Sequence, residues 1–216
     1  ISVSKNCRLC EGDLEEITYL CDSPPANNFD DAFKDGKLQQ SFPLIIDYCK
    51  HCFNIQLRHC LGEDLLYSNY TYVTPKSDSL SKHYRSLHEY ASAKISNYKN
   101  TDVVEIGSNS GDLLSFLKPY VGSVLGVDPA ENIAKIANKA GIETLNNFFN
   151  KKIAAKIKKE KALVNLIIAR HMFAHNANPS EMLEGMKILL DDEGFIFIEN
   201  AYAIDTFNHG EFDQIY

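Results

Sequence analysis

The segment of residues 102–112, DVVEIGSNSGD, constrains the fold of this chain more than any other segment. Its apolar start predicts a buried strand, and Gly107 and Gly111 predict a tight turn that opens a helix. Glycine lets the backbone pass close to a ligand where a Cβ would collide, and the first N–H groups of the following helix face the same cleft. The segment therefore predicts a βαβ unit that binds a nucleotide.

A second strand, predicted over residues 123–127, ends in Asp128 and Pro129, about twenty residues after the turn. A carboxylate at that distance suits a ribose, because its two hydroxyls can donate to one acid. A dinucleotide fingerprint requires G-x-G-x-x-G, but here Asn109 stands in place of the middle glycine, which leaves a pyrophosphate less room against the backbone. The spacing therefore argues against a dinucleotide.

The order of these residues resembles a known family. The pattern E-x-G-x-N-x-G followed by V-D-P is similar to the first two motifs of class I S-adenosylmethionine methyltransferases, in which the leading acid faces the cationic methionine end of the cofactor. The resemblance implies a cofactor site that includes Glu105, Gly107, Ser108, Asn109, Gly111, Asp128 and Pro129. Asn147 and Phe148 follow the third predicted strand, where an amide and a ring face could recognise the adenine. An ordinary βαβ turn with chance glycines is the alternative.

Two CxxC pairs precede this segment. Cys7 and Cys10 form the first pair, Cys49 and Cys52 form the second, and residues 11–48 separate them. Each CxxC turn is tight enough to aim two sulfurs at one point, and Zn²⁺ accepts four thiolates in a closed tetrahedral geometry. A redox pair is disfavoured because neither CxxC precedes a helix of a βαβ unit, and a cytosolic setting disfavours disulfides. We therefore predict a structural zinc site in a small N-terminal domain.

Four further residues accompany these pairs. His51 and His59 could replace a cysteine as a ligand, although a solvated or core histidine is the simpler interpretation. Cys21 and Cys60 have no CxxC partner, and we expect both to be buried or half-buried thiols.

Composition limits the class of protein. The 216 residues are 44% hydrophobic and 24% charged, which suits one full domain and a small additional one. No apolar run approaches the length of a membrane span, and the N-terminus lacks the apolar core of a signal peptide, so we expect a cytoplasmic protein without a membrane partner. The net charge of -7 disfavours nucleic acid as a partner, and the lysine-rich residues 151–161 predict the solvated face of an amphipathic helix.

After residue 102 the chain alternates predicted strands and helices. We expect strands near residues 103–106, 123–127, 142–145, 163–169 and 194–199. We expect helices near residues 111–118, 130–140, 150–160 and 180–190. The alternation predicts an α/β fold with a doubly wound, Rossmann-like parallel sheet of about five strands. Residues 42–48 and 53–57 predict a hairpin at the second CxxC pair, and a helix over residues 81–98 precedes the sheet.

The predicted sheet is incomplete for a class I methyltransferase, because the chain stops at Tyr216 before the last strands of that fold could form. The sequence FIFI of residues 195–198 would then be an exposed apolar edge. A longer parent chain, a second subunit in a homodimer or a local rearrangement could cover it, and we expect a fragment of a longer protein. We expect a zinc-binding domain of residues 1–80 and an S-adenosylmethionine-binding domain of residues 81–216.

In the order of its motifs, nearly the whole chain resembles the sugar C-methyltransferases that modify nucleotide-linked deoxysugars. Beyond the cysteines and the glycine turn, the matching motifs are CFNIQL at 52–57, YTY at 70–72, NFF at 147–149, ARHMFAH at 169–175 and EFDQIY at 211–216. The resemblance implies that Tyr72 reaches the cofactor and that His175 and Tyr216 are catalytic.

The same resemblance implies the chemistry. Members of that family remove a proton from the carbon beside a sugar ketone, and the resulting enolate attacks the methyl group of S-adenosylmethionine. Such a reaction needs a base, donors at the enolate oxygen and an in-line approach. Two other classes stay open: a non-catalytic module that binds the cofactor or a partner, and an O- or N-methyltransferase with a zinc-ribbon substrate reader.

Overall fold

The computed structural model describes four stretches of the chain, which are residues 1–26, 40–67, 70–212 and 215. Tyr216, which is predicted to be catalytic, lies outside the described residues. The chain divides into two compact units. The cysteine unit comprises Ile1–Thr71, Ala177–Ser180 and Ala201–Tyr216, and the sheet unit comprises Tyr72–Asn176 and Glu181–Asn200.

Strands and helices are numbered here in chain order. The strands are β1 (Ser2–Val3), β2 (Leu14–Ser23), β3 (Phe42–Cys49), β4 (Ile55–Leu57), β5 (His59–Cys60), β6 (Asp102–Ile106), β7 (Ser123–Asp128), β8 (Thr144–Asn146), β9 (Val164–Arg170) and β10 (Leu190–Glu199). The helices are α1 (Glu63–Tyr67), α2 (Asp78–Lys94), α3 (Asp112–Leu117), α4 (Glu131–Lys139), α5 (Lys151–Lys161), α6 (Pro179–Leu189) and α7 (Ala203–His209).

Within the cysteine unit, β3 lies between β2 and β4 in an antiparallel sheet, and β1 pairs with β5. The pairing of β3 with β4 confirms the predicted hairpin. Asp47 on β3 is only 1% exposed, and Arg58 donates to both of its carboxylate oxygens at 3.0 and 2.6 Å. A buried carboxylate needs such a partner, so this ion pair fastens β3 to the segment that joins β4 and β5.

Strand β2 is absent from the sequence-based prediction. Most of its side chains are exposed, so its ten residues carry little apolar alternation, and its pairing with β3 contains two shifts of register. The expectation for Cys21 is wrong, because this residue lies on β2 at the outside of the sheet and is exposed. Cys60 is half-buried, as expected.

The sheet unit contains five parallel strands in the order β10-β9-β6-β7-β8. From β6 the chain builds outward through β7 and β8 on one side, and then through β9 and β10 on the other. At such a switch point the carboxyl ends of two neighbouring strands open a crevice, and that crevice binds ligands in open α/β sheets. The structure confirms the predicted doubly wound fold.

Helices cover both faces of this sheet. Helices α5 and α6 bury residues such as Met186 and Leu189 against one face. Helices α2, α3 and α4 bury residues such as Leu114 against the other face. Ile167 and Ile168 are neighbours on β9 and belong to opposite clusters, because successive strand residues point to opposite faces. The sheet is therefore buried on both sides, which holds the carboxyl ends of its strands in fixed positions.

Strand β10 is the outer strand of this sheet on the β9 side, among the described residues. Phe195, Ile196 and Ile198 are 42%, 39% and 39% exposed, which agrees with the expected apolar edge. Strand β10 begins earlier than predicted, directly after α6, and a register irregularity after Leu190 accommodates the DDEG sequence. No helix among the described residues combines the length and the apolar character needed to cross a membrane.

Candidate cofactor site and cysteine cluster

The glycine turn after β6 depends on backbone conformations that suit glycine. Gly107 has a φ of 68° and Gly111, the N-cap of α3, has a φ of 76°. A Cβ on Gly107 would lie 2.8 Å from Met172 Cγ, and a Cβ on Gly111 would lie 3.0 Å from Ile142 Cγ2. Both positions therefore exclude a side chain, and the turn stays closely packed at the carboxyl edge of the sheet.

Asp128, at the end of β7, holds this turn from the neighbouring strand. One carboxylate oxygen accepts from the Asn109 N–H at 2.9 Å and the other accepts from the Ala130 N–H at 2.9 Å. Burial raises the pKa of Asp128, and the two N–H donors oppose that shift. Each carboxylate oxygen can accept a second hydrogen bond. Backbone N–H groups therefore orient Asp128, the acid predicted to bind ribose, and its carboxylate can still accept hydrogen bonds from a ligand.

Asn109 ties the turn to the segment before α2. Its backbone is left-handed, with a φ of 48°, which asparagine tolerates better than most residues. Its Oδ1 accepts from the N–H groups of Thr74 and Ser110, both at 2.9 Å, and its Nδ2 donates to the Tyr72 carbonyl at 3.0 Å. Asn109 stands where a dinucleotide fingerprint has its middle glycine, and its side chain makes hydrogen bonds within the protein.

Glu105 lies on β6, one strand from Asp128, and is only 2% exposed. Arg170, at the end of β9, donates from Nη2 to Glu105 Oε1 at 3.3 Å, and its guanidinium carbon lies 4.9 Å from the centre of the Tyr84 ring. The other oxygen of Glu105, Oε2, is buried and has no hydrogen-bond partner among the described residues. Burial raises the pKa of Glu105 to about 7, against the opposing effect of Arg170.

The remaining predicted cofactor residues lie around these two acids. The Ser108 hydroxyl is buried, has no hydrogen-bond partner in the part of the chain that the structure describes, and faces β7, where a Cβ on Gly126 would lie 2.4 Å from it. Pro129 is half-buried after β7, and Tyr72 is 50% exposed. Asn147 is exposed and donates its N–H to the Asp128 carbonyl at 3.2 Å, and Phe148 is half-buried.

Sequence reasoning missed Asn146, the last residue of β8. Its Nδ2 donates to the carbonyls of Asp128 and Pro129 at 3.1 and 2.7 Å, so it fixes the backbone at the end of β7. The sequence offered one signal for this role, because Asn146 is a polar residue at the end of a predicted strand next to the candidate site.

The second missed group is a carboxylate between two histidines. Glu199 ends β10; its Oε2 forms a hydrogen bond with His83 Nε2 at 2.8 Å, and its Oε1 lies 2.9 Å from His171 Nε2. His175 follows in a short turn, and its N–H donates to the Met172 carbonyl at 3.0 Å. Burial lowers the pKa of His175, and His171 adds to this effect. The structure thus places His175 and His171 on one loop at the carboxyl edge of the sheet.

The four predicted metal ligands come together in the cysteine unit. The Sγ atoms of Cys7, Cys10, Cys49 and Cys52 all lie within 4.8 Å of one another. The Cys7–Cys52 and Cys10–Cys49 sulfurs are 3.5 Å apart. Zinc–sulfur bonds of about 2.3 Å in a tetrahedron separate the sulfurs by about 3.8 Å, so this cluster fits a zinc ion with small adjustments.

The two CxxC turns have the same backbone construction. The N–H of Glu11 donates to the Cys7 carbonyl at 2.9 Å, and the N–H of Phe53 donates to the Cys49 carbonyl at 3.0 Å. Glu11 and Phe53 both have left-handed φ angles, of 59° and 64°. The backbone N–H groups of Cys52 and His51 lower the pKa of Cys49 to about 6, whereas the neighbouring thiols raise the pKa of Cys10. Among the described residues, the cluster includes neither His51 nor His59.

The chain belongs to the methyltransferase domain family, because residues 79–214 match the family model of that description. The matched residues contain all five strands of the doubly wound sheet. A curated relative, the C-methyltransferase NovU of Streptomyces niveus, is 32% identical over 211 residues, which are 97% of this chain and 50% of the relative. The chain spans about half the length of the curated relative that it matches.

Two solved structures are also similar to the chain. The plantazolicin methyltransferase BpumL, in complex with a pentazolic desmethylPZN analog and SAH, is 18% identical, with a TM-score of 0.48 and coverage of 64% of this chain and 51% of that chain. A putative methyltransferase, BH2331 of Bacillus halodurans, is 18% identical, with a TM-score of 0.46 and coverage of 61% of this chain and 59% of that chain.

Proposed function

We propose that this chain methylates a carbon atom of a nucleotide-linked keto-deoxysugar through an enolate, with S-adenosylmethionine as the methyl donor. The observation that carries the proposal is the 32% identity to a C-methyltransferase along 97% of this chain. The site supports it in two ways: buried acids end β6 and β7 beside a glycine turn, and histidines for proton transfer follow β9.

Glu105 and Asp128 are the proposed anchors of the cofactor. A buried carboxylate oxygen without a partner is unfavourable, so the ammonium group of the methionine part would relieve the isolation of Glu105 Oε2. Asp128 would accept the ribose hydroxyls with the second acceptor site of each oxygen. Gly107 and Gly111 keep the turn free of side chains.

The other proposed contacts follow from position. The exposed Asn147 and the half-buried Phe148 follow β8 and would recognise the adenine by its amide and ring face. Tyr72 would reach the cofactor with its half-exposed ring, because Asn109 holds its carbonyl beside the turn. Ser108 and Pro129 complete the proposed walls of the site.

When bound, S-adenosylmethionine supplies an electrophilic methyl group on a sulfonium. The residues of the chain must then remove a proton from the carbon beside the ketone and stabilise the charge that develops on the oxygen. His175 suits the second task, since its lowered pKa keeps the imidazole neutral near pH 7 and a neutral N–H can donate to an enolate oxygen. Tyr216, by the family resemblance, is the proposed second donor.

We propose further that residues 1–80 form a zinc-binding domain and residues 81–216 the cofactor-binding domain. Four thiolates fill the tetrahedral coordination of zinc, so the metal would hold the cysteine unit together and leave no position for a substrate. The half-exposed apolar edge of β10 suits a homodimer contact, which sedimentation equilibrium would test by the mass in solution.

Calorimetric titration of the zinc-loaded chain with S-adenosylhomocysteine, with NAD as the control ligand, tests the cofactor assignment. We expect saturable binding of S-adenosylhomocysteine alone. Incubation with S-adenosylmethionine and nucleotide-linked keto-deoxysugars, followed by mass spectrometry, tests whether a methyl group is added. Binding without transfer would favour a second candidate, a cofactor-binding unit without turnover. Failure to bind S-adenosylhomocysteine would refute both candidates.

A further inference from the structure

Arg170 binds only one of the two carboxylate oxygens of Glu105. Its Nε and Nη2 both donate to Oε1, at 3.4 and 3.3 Å. A guanidinium that pairs with a carboxylate frequently places two parallel donors on the two oxygens instead. Because both donors meet the same oxygen here, the ion pair makes no use of Oε2.

The second oxygen of Glu105 is a buried acceptor. Glu105 is only 2% exposed, and its Oε2 has no hydrogen-bond partner within the stretches that the structure describes. A buried carboxylate oxygen without a donor is unfavourable, and a positively charged N–H group is the partner that such an oxygen binds most strongly. Oε2 is therefore suited to a ligand with a cationic N–H group.

Tyr84 holds the guanidinium of Arg170 in place. The guanidinium carbon lies 4.9 Å from the centre of the Tyr84 ring, and the electron-rich face of an aromatic ring stabilises a desolvated cation. Tyr84 lies on α2, is 5% exposed and packs against Phe116 of α3, with 6.1 Å between the ring centres. Arg170, whose side chain is 11% exposed, is therefore a buried cation with a fixed position.

The charges that act on Glu105 come from four other elements. Arg170 ends β9, Asp128 ends β7, Asp112 begins α3, and Tyr84 on α2 is a phenol whose own pKa is raised by burial. Burial and the two aspartates raise the pKa of Glu105, and Arg170 opposes them. Without Arg170, the carboxyl group of Glu105 would be mainly protonated at pH 7 and unable to accept with both oxygens.

We propose that Arg170 is a positioning residue of the cofactor site, which binds Oε1 of Glu105 and so leaves Oε2 as the acceptor for the ammonium group of the methionine part. The inference rests on the proposed contact between Glu105 and that ammonium group. Arg170 acts through Glu105 in two ways. Its donors fix the orientation of the carboxylate, and its charge keeps the carboxylate ionised.

Two ligands separate this role from a general effect on the site. S-adenosylhomocysteine carries the ammonium group, whereas 5′-methylthioadenosine has the same adenine, ribose and thioether without the amino acid. Calorimetric titration of the zinc-loaded chain with each ligand at pH 7 gives the two affinities. We expect Arg170→Met to weaken binding of S-adenosylhomocysteine by about 10- to 50-fold and to leave binding of 5′-methylthioadenosine within about twofold of wild type.

Two further variants support the comparison. Arg170→Lys keeps the positive charge and loses the paired donors, so its loss of affinity for S-adenosylhomocysteine should be smaller than that of Arg170→Met. Arg85→Met is the matched control, because Arg85 is an exposed arginine beside Tyr84 on α2, and both of its affinities should stay close to wild type. Equal losses of both ligands in Arg170→Met and Arg170→Lys would overturn the proposal, because Arg170 would then support only the fold of the site.

The pH profile of binding gives a readout that a purely structural role would not move. Wild-type affinity for S-adenosylhomocysteine should rise with the ionisation of Glu105 around pH 7, and in Arg170→Met the midpoint should move upward by about one to two pH units. Weaker binding with an unchanged midpoint would overturn the positioning role, because Arg170 would then bind the ligand directly.

Comparison with Glu105→Gln separates the two levels of the inference. Selective loss of S-adenosylhomocysteine in Glu105→Gln, with wild-type binding in Arg170→Met, would overturn the role of Arg170 alone. Wild-type binding in Glu105→Gln at pH 8 would refute the ammonium contact and the role of Arg170 together. Neither result bears on methyl transfer to the sugar, which mass spectrometry measures separately.

Discussion

Replacing Asn109 by alanine removes the side chain that ties the glycine turn to residues 72–74. Its Oδ1 accepts from the N–H groups of Thr74 and Ser110, both at 2.9 Å, and its Nδ2 donates to the Tyr72 carbonyl at 3.0 Å. Alanine would also have to adopt the φ of 48° that asparagine tolerates. The substitution therefore combines lost hydrogen bonds with backbone strain.

The size of the effect follows from these contacts. Opening of residues 72–74 breaks the partly buried bond from the Thr74 N–H, which contributes about 0.5–1.5 kcal/mol, and the exposed bond to the Tyr72 carbonyl, which contributes less. We expect the Thr74 segment to open more easily by about 1–2 kcal/mol in Asn109→Ala. Asn109→Gly removes the same two bonds, so the same change is expected.

Native-state hydrogen exchange at the Thr74 amide measures this opening directly. Protection should fall by about 5- to 30-fold in both Asn109→Ala and Asn109→Gly. The strain of left-handed alanine persists when the Thr74 segment opens, so it should appear instead in urea titrations, as a free energy of unfolding about 1 kcal/mol lower for Asn109→Ala than for Asn109→Gly. Unchanged protection of Thr74 in Asn109→Ala would refute the reasoning.

Four other predictions concern the acids and the cysteines. Because the pKa of Glu105 is raised to about 7, its ionised form increases as the pH rises, so the affinity for S-adenosylhomocysteine should increase from about pH 6 to about pH 8 and become independent of pH in Glu105→Gln. The stability that Glu105 contributes has the opposite dependence: it is present below the unfolded pKa of 4.5 and lost as the pH rises through about 7, which urea titrations at several pH values would measure. Asp128→Ala should weaken binding of S-adenosylhomocysteine by about 2–3 kcal/mol by calorimetry, whereas Glu131→Gln, an exposed acid nearby, should leave it unchanged. Cys49→Ser should abolish stoichiometric zinc in elemental analysis and lower the melting temperature, and the same substitution at the exposed Cys21 should change neither.

Local sequence patterns were sufficient for the elements whose signals lie close together in the chain. The glycines of residues 107–111 predicted the turn because few other residues adopt left-handed backbone there, and both have positive φ angles. The CxxC spacing predicted four converging sulfurs because each turn aims two of them. Strand β2 escaped prediction, since its exposed side chains do not alternate and its place depends on pairing with β3.

The sequence alone therefore determined the class of fold, the cysteine cluster and the acids at the ends of β6 and β7, because each depends on residues within one turn or one strand. Only the tertiary structure decided which groups meet across elements. Glu105 and its partner Arg170 are 65 residues apart in the sequence, and the hydrogen-bonded His83 and Glu199 are 116 residues apart. The first pair forms because parallel strands bring their carboxyl ends to one edge of the sheet, and the second because α2 packs at that edge; no local pattern specifies which polar residues will lie opposite one another.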